Sequence, residues 1–259
     1  MPRQMRKRSR TGIYHVMIRG NSGQSLFEYD EDNQRFLEIL AETKEKMEFE
    51  IDVFAYCLMG NHVHLLLREN DAELGDYMRR SSAKYAQWFN IKYVRKGHVF
   101  QERYKSEPVE NDAYLLTVFR YILQNPMKAK LSTSAFDYRW SSWKAYEMNA
   151  EYPTGLTDCT YMTNMFGKSR EEAINKMKEF LRKENNDSCL DIETGTRLTD
   201  DELRIQIRSQ YPEMNFRTLN TLNKKERNEA LRKLKAIDGA AIRQIARVTG
   251  LGLRIVHDA

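Results

Sequence analysis

The chain has 259 residues, 41% hydrophobic and 31% charged, which points to a soluble globular protein with ample length for a buried core in one large or two modest domains. No apolar run approaches the roughly 20 residues needed to span a bilayer, and the basic N-terminus lacks the apolar stretch of a secretory signal. The net charge of +5 is a mild pointer to nucleic acid, while Cys57, Cys159 and Cys189 lack metal-type spacing and suggest a reducing, cytoplasmic setting without disulfides.

Arg3, Arg6, Lys7, Arg8 and Arg10 crowd the N-terminus with no acid among them, an arm suited to settling on phosphates. Ile13 to Arg19, rich in β-branched and aromatic residues, reads as a strand, and Gly20 to Gly23 as a turn. Glu31 to Met47 repeats apolar residues at helical spacing, with Phe36, Leu37, Leu40 and Met47 on the apolar positions. Phe49 to Leu58 is a strand, Gly60-Asn61 a tight turn and His62 to Leu67 the antiparallel return. Leu74 to Tyr93 is a second amphipathic helix; it carries Arg79 and Arg80 among Tyr77, Tyr85, Trp88, Phe89 and Tyr93. Most of these rings sit at core spacing, but cations interleaved with rings also suit single-stranded nucleic acid. Val99 to Val109 reads as a strand bearing Arg103 and Lys105, placed to clamp a phosphate or to guard a sheet edge. Asp112 to Gln124 is a third helix, with Asp112 as its cap and Pro126 as its stop.

The order strand, helix, strand, strand, helix, strand is that of the split βαβ, or ferredoxin-like, arrangement. The expected class is therefore α+β: a four-stranded antiparallel sheet with helices on one face, followed by an extra helix. Beyond Trp143 the pattern changes. Asn149 to Asn164 reads as irregular, Ser169 to Lys183 as a charged helix, and Asn185 to Ser188 and Gly195 as loops. From Leu198 onward the chain is helical and basic. A boundary within about residues 150 to 165 divides it into residues 1–150 and a helical region of residues 151–259. Within the latter, residues 241–256 resemble a helix-turn-helix with its turn at Gly250 to Gly252. Arg243, Arg247 and Arg254 would then meet phosphates or bases.

The chemistry concentrates around two of the five histidines. Side chains alternate along a strand, so His62 and His64 share one face while Val63 points away. Two aligned imidazoles can share a divalent cation, although strand histidines can also simply face solvent. Two ligands are too few for such an ion. The third helix places Tyr121 and Asn125 four residues apart on one face, a carbonyl oxygen beside a phenol. Gln124, the neighbouring amide, lies about 100° around the helix from Asn125.

These residues carry a family likeness. His62-Val63-His64 resembles the histidine–hydrophobic–histidine motif of the HUH endonucleases. Together with Gly20-Asn21, Met59 to His64, Gly97 to Ser106 and Arg120 to Pro126, it resembles the single-tyrosine transposases of the insertion-sequence type, most of all the REP-associated tyrosine transposases. The likeness spans about residues 10 to 145. It implies a Mg²⁺ or Mn²⁺ ion held by His62, His64 and Asn125, attack by Tyr121 on single-stranded DNA with hairpins (REP-like palindromes), and a 5′-phosphotyrosine intermediate that a 3′-hydroxyl later resolves. Where the family often has Asn-Pro-Val-Arg-Ala, this chain has Asn125-Pro126-Met127-Lys128-Ala129; Lys128 keeps the charge without the bidentate fork of arginine. The family sometimes places the amide one position away, and only that likeness makes Gln124 a weaker ligand candidate. Two other readings stand beside it: a replication initiator or relaxase of the HUH superfamily, and a non-catalytic DNA-binding regulator. The likeness allows a monomer or a homodimer.

Overall fold

The structure is a computed structural model that describes residues 6–46, 50–70, 74–184, 186–187, 189–190, 198 and 200–259. Arg3, the expected helix end at Met47, the expected strand start at Phe49, and Asn185, Ser188 and Gly195 lie outside the described residues.

Four strands, β1 (Ile13–Arg19), β2 (Ile51–Met59), β3 (His62–Glu69) and β4 (Lys105–Pro108), form one antiparallel sheet in the order β2-β3-β1-β4. The two central strands are thus β3 and β1, which face each other with His15 opposite Leu66, Met17 opposite His64 and Arg19 opposite His62. The helices α1 (Asp30–Lys46) and α2 (Leu74–Lys92) complete the split βαβ unit and cover one face. Val16, Ile18, Val63, Leu65 and Leu67 point into this layer and meet Phe36, Leu37 and Leu40 of α1 and Tyr77, Tyr85 and Phe89 of α2. Asp32, at the start of α1, ties the layer together. Its buried carboxylate accepts from the backbone N–H groups of Glu28 and Tyr29 at 2.7 and 2.9 Å, from the Tyr93 hydroxyl at 2.6 Å and from Lys92 at 2.6 Å.

The other face of the sheet is covered by α3 (Asp112–Lys128), the helix that follows the unit, with α4 (Trp143–Met148), α5 (Cys159–Phe166) and α6 (Arg170–Arg182) around it. A bulge sets the side chains of β2 for this layer. Val53 pairs with Leu67 and Ala55 with Leu66, so Phe54 is the extra residue. Phe54 and Ala55 both turn toward α3, and the alternation resumes with Cys57 and Met59 on that side. At the β1 end, Gly20 is needed for close approach, since a Cβ there would lie 2.2 Å from the carbonyl oxygen of Gln24.

Several expected boundaries move. The strand expected over Val99 to Val109 is only Lys105–Pro108. Phe100 bridges Gly20 and Gln101 N–H reaches the Arg19 carbonyl at 3.0 Å, but the following residues bend out of the ladder. The cap of α3 is Asn111, whose side chain accepts from Tyr114 N–H at 2.8 Å, rather than Asp112. Pro126 does not stop α3, which runs to Lys128: in the last turn a proline forfeits one backbone bond, and the carbonyls of Asn125 and Pro126 still accept from Ala129 and Leu131 at 3.0 and 2.8 Å. The segment expected to be irregular as far as Asn164 contains α5 from Cys159.

The apolar clusters part later than residues 150 to 165. Met162, Ile174, Met177 and Leu181 of α5 and α6 pack into the α3 layer, whereas a separate cluster joins α7 (Asp200–Gln210), α8 (Lys224–Lys235), α9 (Ile242–Thr249) and α10 (Leu253–Asp258) through Leu203, Ile207, Leu231, Leu234, Ile245 and Val256. Helices α9 and α10 are joined through Gly250, which has a left-handed φ of 71°. Among the described residues no helix is long and apolar enough to cross a membrane.

Candidate functional site

The site lies between the two central strands and α3. His62 and His64 stand on the sheet face toward α3, with ring centroids 5.0 Å apart and ring planes at 89°. Tyr121 reaches from α3 to one member of this pair, its ring 5.7 Å from that of His64 and edge-on. Asn125 lies one turn further on the same helix, buried like Tyr121. The structure therefore brings Tyr121 of α3 against His64 of the histidine pair, with Asn125 on the next turn of the same helix. Gln124 is turned elsewhere: its amide nitrogen donates to the carbonyl oxygens of Leu181 and Lys183, at 2.6 and 3.3 Å, where α6 ends.

Burial sets the protonation of His62. It pushes His62 well below the ordinary histidine range, and the neighbouring His64 and Arg19 add to the effect. A neutral ring is the form that donates to a metal. His62 Nδ1 hydrogen-bonds Asn61 Oδ1 at 2.8 Å, and since a carbonyl oxygen only accepts, the proton sits on Nδ1 and the Nε2 lone pair is left for a ligand. The Nδ1 of His64 is likewise engaged, 2.9 Å from Nε2 of a third histidine, His15 on β1. Two imidazole nitrogens and an amide oxygen are donor types that suit a divalent cation with positions left for substrate. The described residues hold no cluster of three His, Cys, Asp or Glu side chains fit for a metal ion.

Sequence reasoning missed three neighbours. His15 is fully buried, touches His64 and lies 5.9 Å from the Tyr121 ring. Arg19, opposite His62 in register, puts a cation at the rim of the site. Asn61 orients His62. Position in β1 was the only available signal for the first two, and pairing across strands cannot be read from one segment.

The predicted DNA contacts are spread over several parts of the molecule. Lys128 Nζ lies 4.6 Å from the centre of the Tyr121 ring and 3.1 Å from the carbonyl oxygen of Asp187, beside the site itself. Arg6, Arg79 and Arg103 line one groove of about 510 Å³ between α2 and residues 97–104, together with Phe100 and Tyr104. There Arg6 stacks on Tyr104 at 3.6 Å. Arg79 and Arg80 both pair with Asp76, Lys105 with Glu102 and Arg10 with Glu110. Lys7, Arg8 and Arg243 are exposed. Arg247 forms a two-pronged pair with Asp200 at 2.7 and 3.0 Å, a structural use, while Arg254 projects into solvent. The rings of Tyr77, Tyr85 and Phe89 are core.

The C-terminal helices close one side. Glu202 of α7 accepts from the backbone N–H of Gly60, in the turn before His62, at 2.7 Å. Gln206, one turn on, donates to the carbonyl oxygen of Ala129 at 2.7 Å, just past α3. Between them runs a cleft of about 290 Å³ lined by Asn61, His62, Lys128, Glu202 and Gln206, which leads to the site.

Residues 9–125 match the family described as IS200-like transposase, which bears out the likeness carried by the sequence blocks. Among solved structures, a REP-associated tyrosine transposase bound to a REP hairpin superposes with a TM-score of 0.50 at 15% identity, over 62% of this chain and 94% of that one. That likeness shows a shared fold. No curated protein matches.

Proposed function

Proceeding from an IS200-like transposase match over residues 9–125, we propose that this chain cuts and rejoins single-stranded DNA that carries hairpins, with Tyr121 as nucleophile. The observation that carries the reading is the packing of the Tyr121 ring against His64, whose strand neighbour His62 shares the same face, with Asn125 a turn away and Lys128 against the phenol ring. His62, His64 and Asn125 would hold Mg²⁺ or Mn²⁺. Bound there, the ion supplies Lewis-acid polarisation of a phosphate.

The protein's own groups do the rest. The Tyr121 oxygen attacks phosphorus, the bond from phosphorus to the 3′-oxygen breaks, the phenol loses its proton and the departing oxygen gains one. A 5′-phosphotyrosine remains. Rejoining reverses these steps with another 3′-hydroxyl, so the bond energy is conserved and no nucleotide cofactor is required. Arg19 and Lys128 offset the phosphate charge. The groove lined by Arg6, Arg79 and Arg103 offers cations and the half-buried ring of Phe100 to unpaired DNA. The helices α9 and α10 expose Arg243 and Arg254 as a further contact with duplex DNA, a helix-turn-helix reading that supports hairpin recognition. The solved relative that shares the fold is bound to a REP hairpin, which favours such a substrate here.

The test is a labelled hairpin oligonucleotide with single-stranded flanks, incubated with protein and Mn²⁺ and resolved under denaturing conditions. The wild type is expected to give a protein–DNA band that chelator suppresses. Tyr121→Phe and His64→Ala are expected to give none. A band retained by Tyr121→Phe, or tight hairpin binding with no cleavage of any substrate, would replace this reading with that of a non-catalytic binder.

A further inference from the structure

His15 is a fully buried polar side chain that the reaction above does not use. Its Nε2 lies 2.9 Å from His64 Nδ1, its ring packs against Tyr121, and its own Nδ1 has no hydrogen-bond partner. An apolar ring would fill this place without leaving a buried nitrogen unsatisfied. The sacrifice is accounted for by what the other nitrogen does.

His62 supplies the comparison. Its Nδ1 is held by Asn61 Oδ1, an atom that only accepts, so its proton position is decided and Nε2 is left open. His64 has the same need, but its partner is ambivalent. If His15 donated to His64 Nδ1, the neutral His64 would carry its proton on Nε2 and could not act as a ligand through that atom. If His64 donates, both imidazoles of the pair present Nε2 lone pairs to the same space.

We propose that His15 is a positioning residue for His64: its Nε2 accepts the hydrogen bond from His64 Nδ1–H, which fixes the tautomer and orientation of the His64 ring and keeps His64 Nε2 open toward a divalent cation. The cation half of this inference rests on the metal reading of the site; the hydrogen-bond half does not. Outer partners of this kind typically change metal affinity about 10- to 100-fold when removed. The same contact places the His15 ring edge against the nucleophile, so one side chain braces a metal ligand and Tyr121 together.

The experiment uses the full chain in two arms. Long-range ¹H–¹⁵N spectra of histidine-labelled, metal-free protein at neutral pH read the tautomer of each ring, with His64 assigned from His64→Ala. The wild type is expected to show His64 protonated on Nδ1. Mn²⁺ binding, followed by the electron paramagnetic resonance of the free ion, then compares the wild type with His15→Phe, which keeps the ring and removes the acceptor, and His15→Gln, which restores one. His15→Phe is expected to raise the Mn²⁺ dissociation constant about 10- to 100-fold, and His15→Gln to stay within about threefold of wild type. Wild-type His64 protonated on Nε2, or unchanged Mn²⁺ affinity in His15→Phe, overturns the proposal. A wild type that binds no Mn²⁺ overturns the metal reading and the cation half with it, while the spectra still decide the hydrogen bond.

Discussion

His15 and His62 are buried on either side of His64, and their burial is tolerable only while they stay neutral. Burial holds His15 and His62 well below the ordinary histidine range, and His64 lowers both further. Because their folded pKa values are depressed, the unfolded chain binds more protons than the folded one at mildly acid pH. Their contribution is therefore fully present above the unfolded value near 6.5 and is lost as pH falls below it. Two such groups steepen the loss by up to about 2.7 kcal/mol per pH unit below about pH 6. In urea titrations of metal-free protein, His15→Phe should reduce that slope by about 1.4 kcal/mol per pH unit, and an unchanged slope would show that His15 is not held neutral. At this scale much was legible. Alternation along one strand predicts that His62 and His64 share a face, and four-residue spacing predicts the same of Tyr121 and Asn125. His15 was not legible: it stands alone in an apolar strand, and its partner is 49 positions away, across a pairing that only folding creates.

The elements explain why the site is held firmly. Its histidines sit on the two central strands, each paired on both sides, and α3 is pressed onto them by Val118, Phe119 and Ile122. On the far face, α1 and α2 are fastened by Asp32, which joins two backbone N–H groups, a lysine and a tyrosine. Replacing a buried, multiply bonded carboxylate leaves those donors unmet, so Asp32→Ala should cost about 3 kcal/mol in urea unfolding. The folded fraction should keep its nicking activity, because this network is on the opposite side of the sheet. Strand order and hairpin were readable because turn residues and alternation are local signals. The bulge at Phe54 was not, since an extra residue looks the same in sequence as a continuing strand. Nor was the persistence of α3 through Pro126, where packing and following turn bonds outweigh the missing N–H.

Over the whole molecule, the C-terminal helices act as a wall of the site through two polar side chains of α7. Glu202 holds the turn that precedes His62, and Gln206 holds the chain just after α3, so both site elements touch one helix. A hydrogen bond from a backbone N–H to a carboxylate is worth about 1–3 kcal/mol. Glu202→Ala should accordingly speed hydrogen exchange at Gly60 and along α7 about 10- to 100-fold while leaving central-strand amides slow. Equal acceleration everywhere would instead mark Glu202 as a contributor to global stability. This docking was hidden in the sequence because Glu202 and Gln206 sit among charged neighbours and read as a solvated face. The later helices could be recognised as helices, but not where they lodge.

The central claim is that one phenol takes the DNA phosphate. Its most direct measurement is mass-spectrometric mapping of the peptide that carries a nucleotide after reaction with a hairpin oligonucleotide, nuclease trimming and proteolysis. A nucleotide mass is expected on Tyr121. A modification confined to another tyrosine, or cleaved DNA with both of its new ends free and no modified peptide at all, would contradict it.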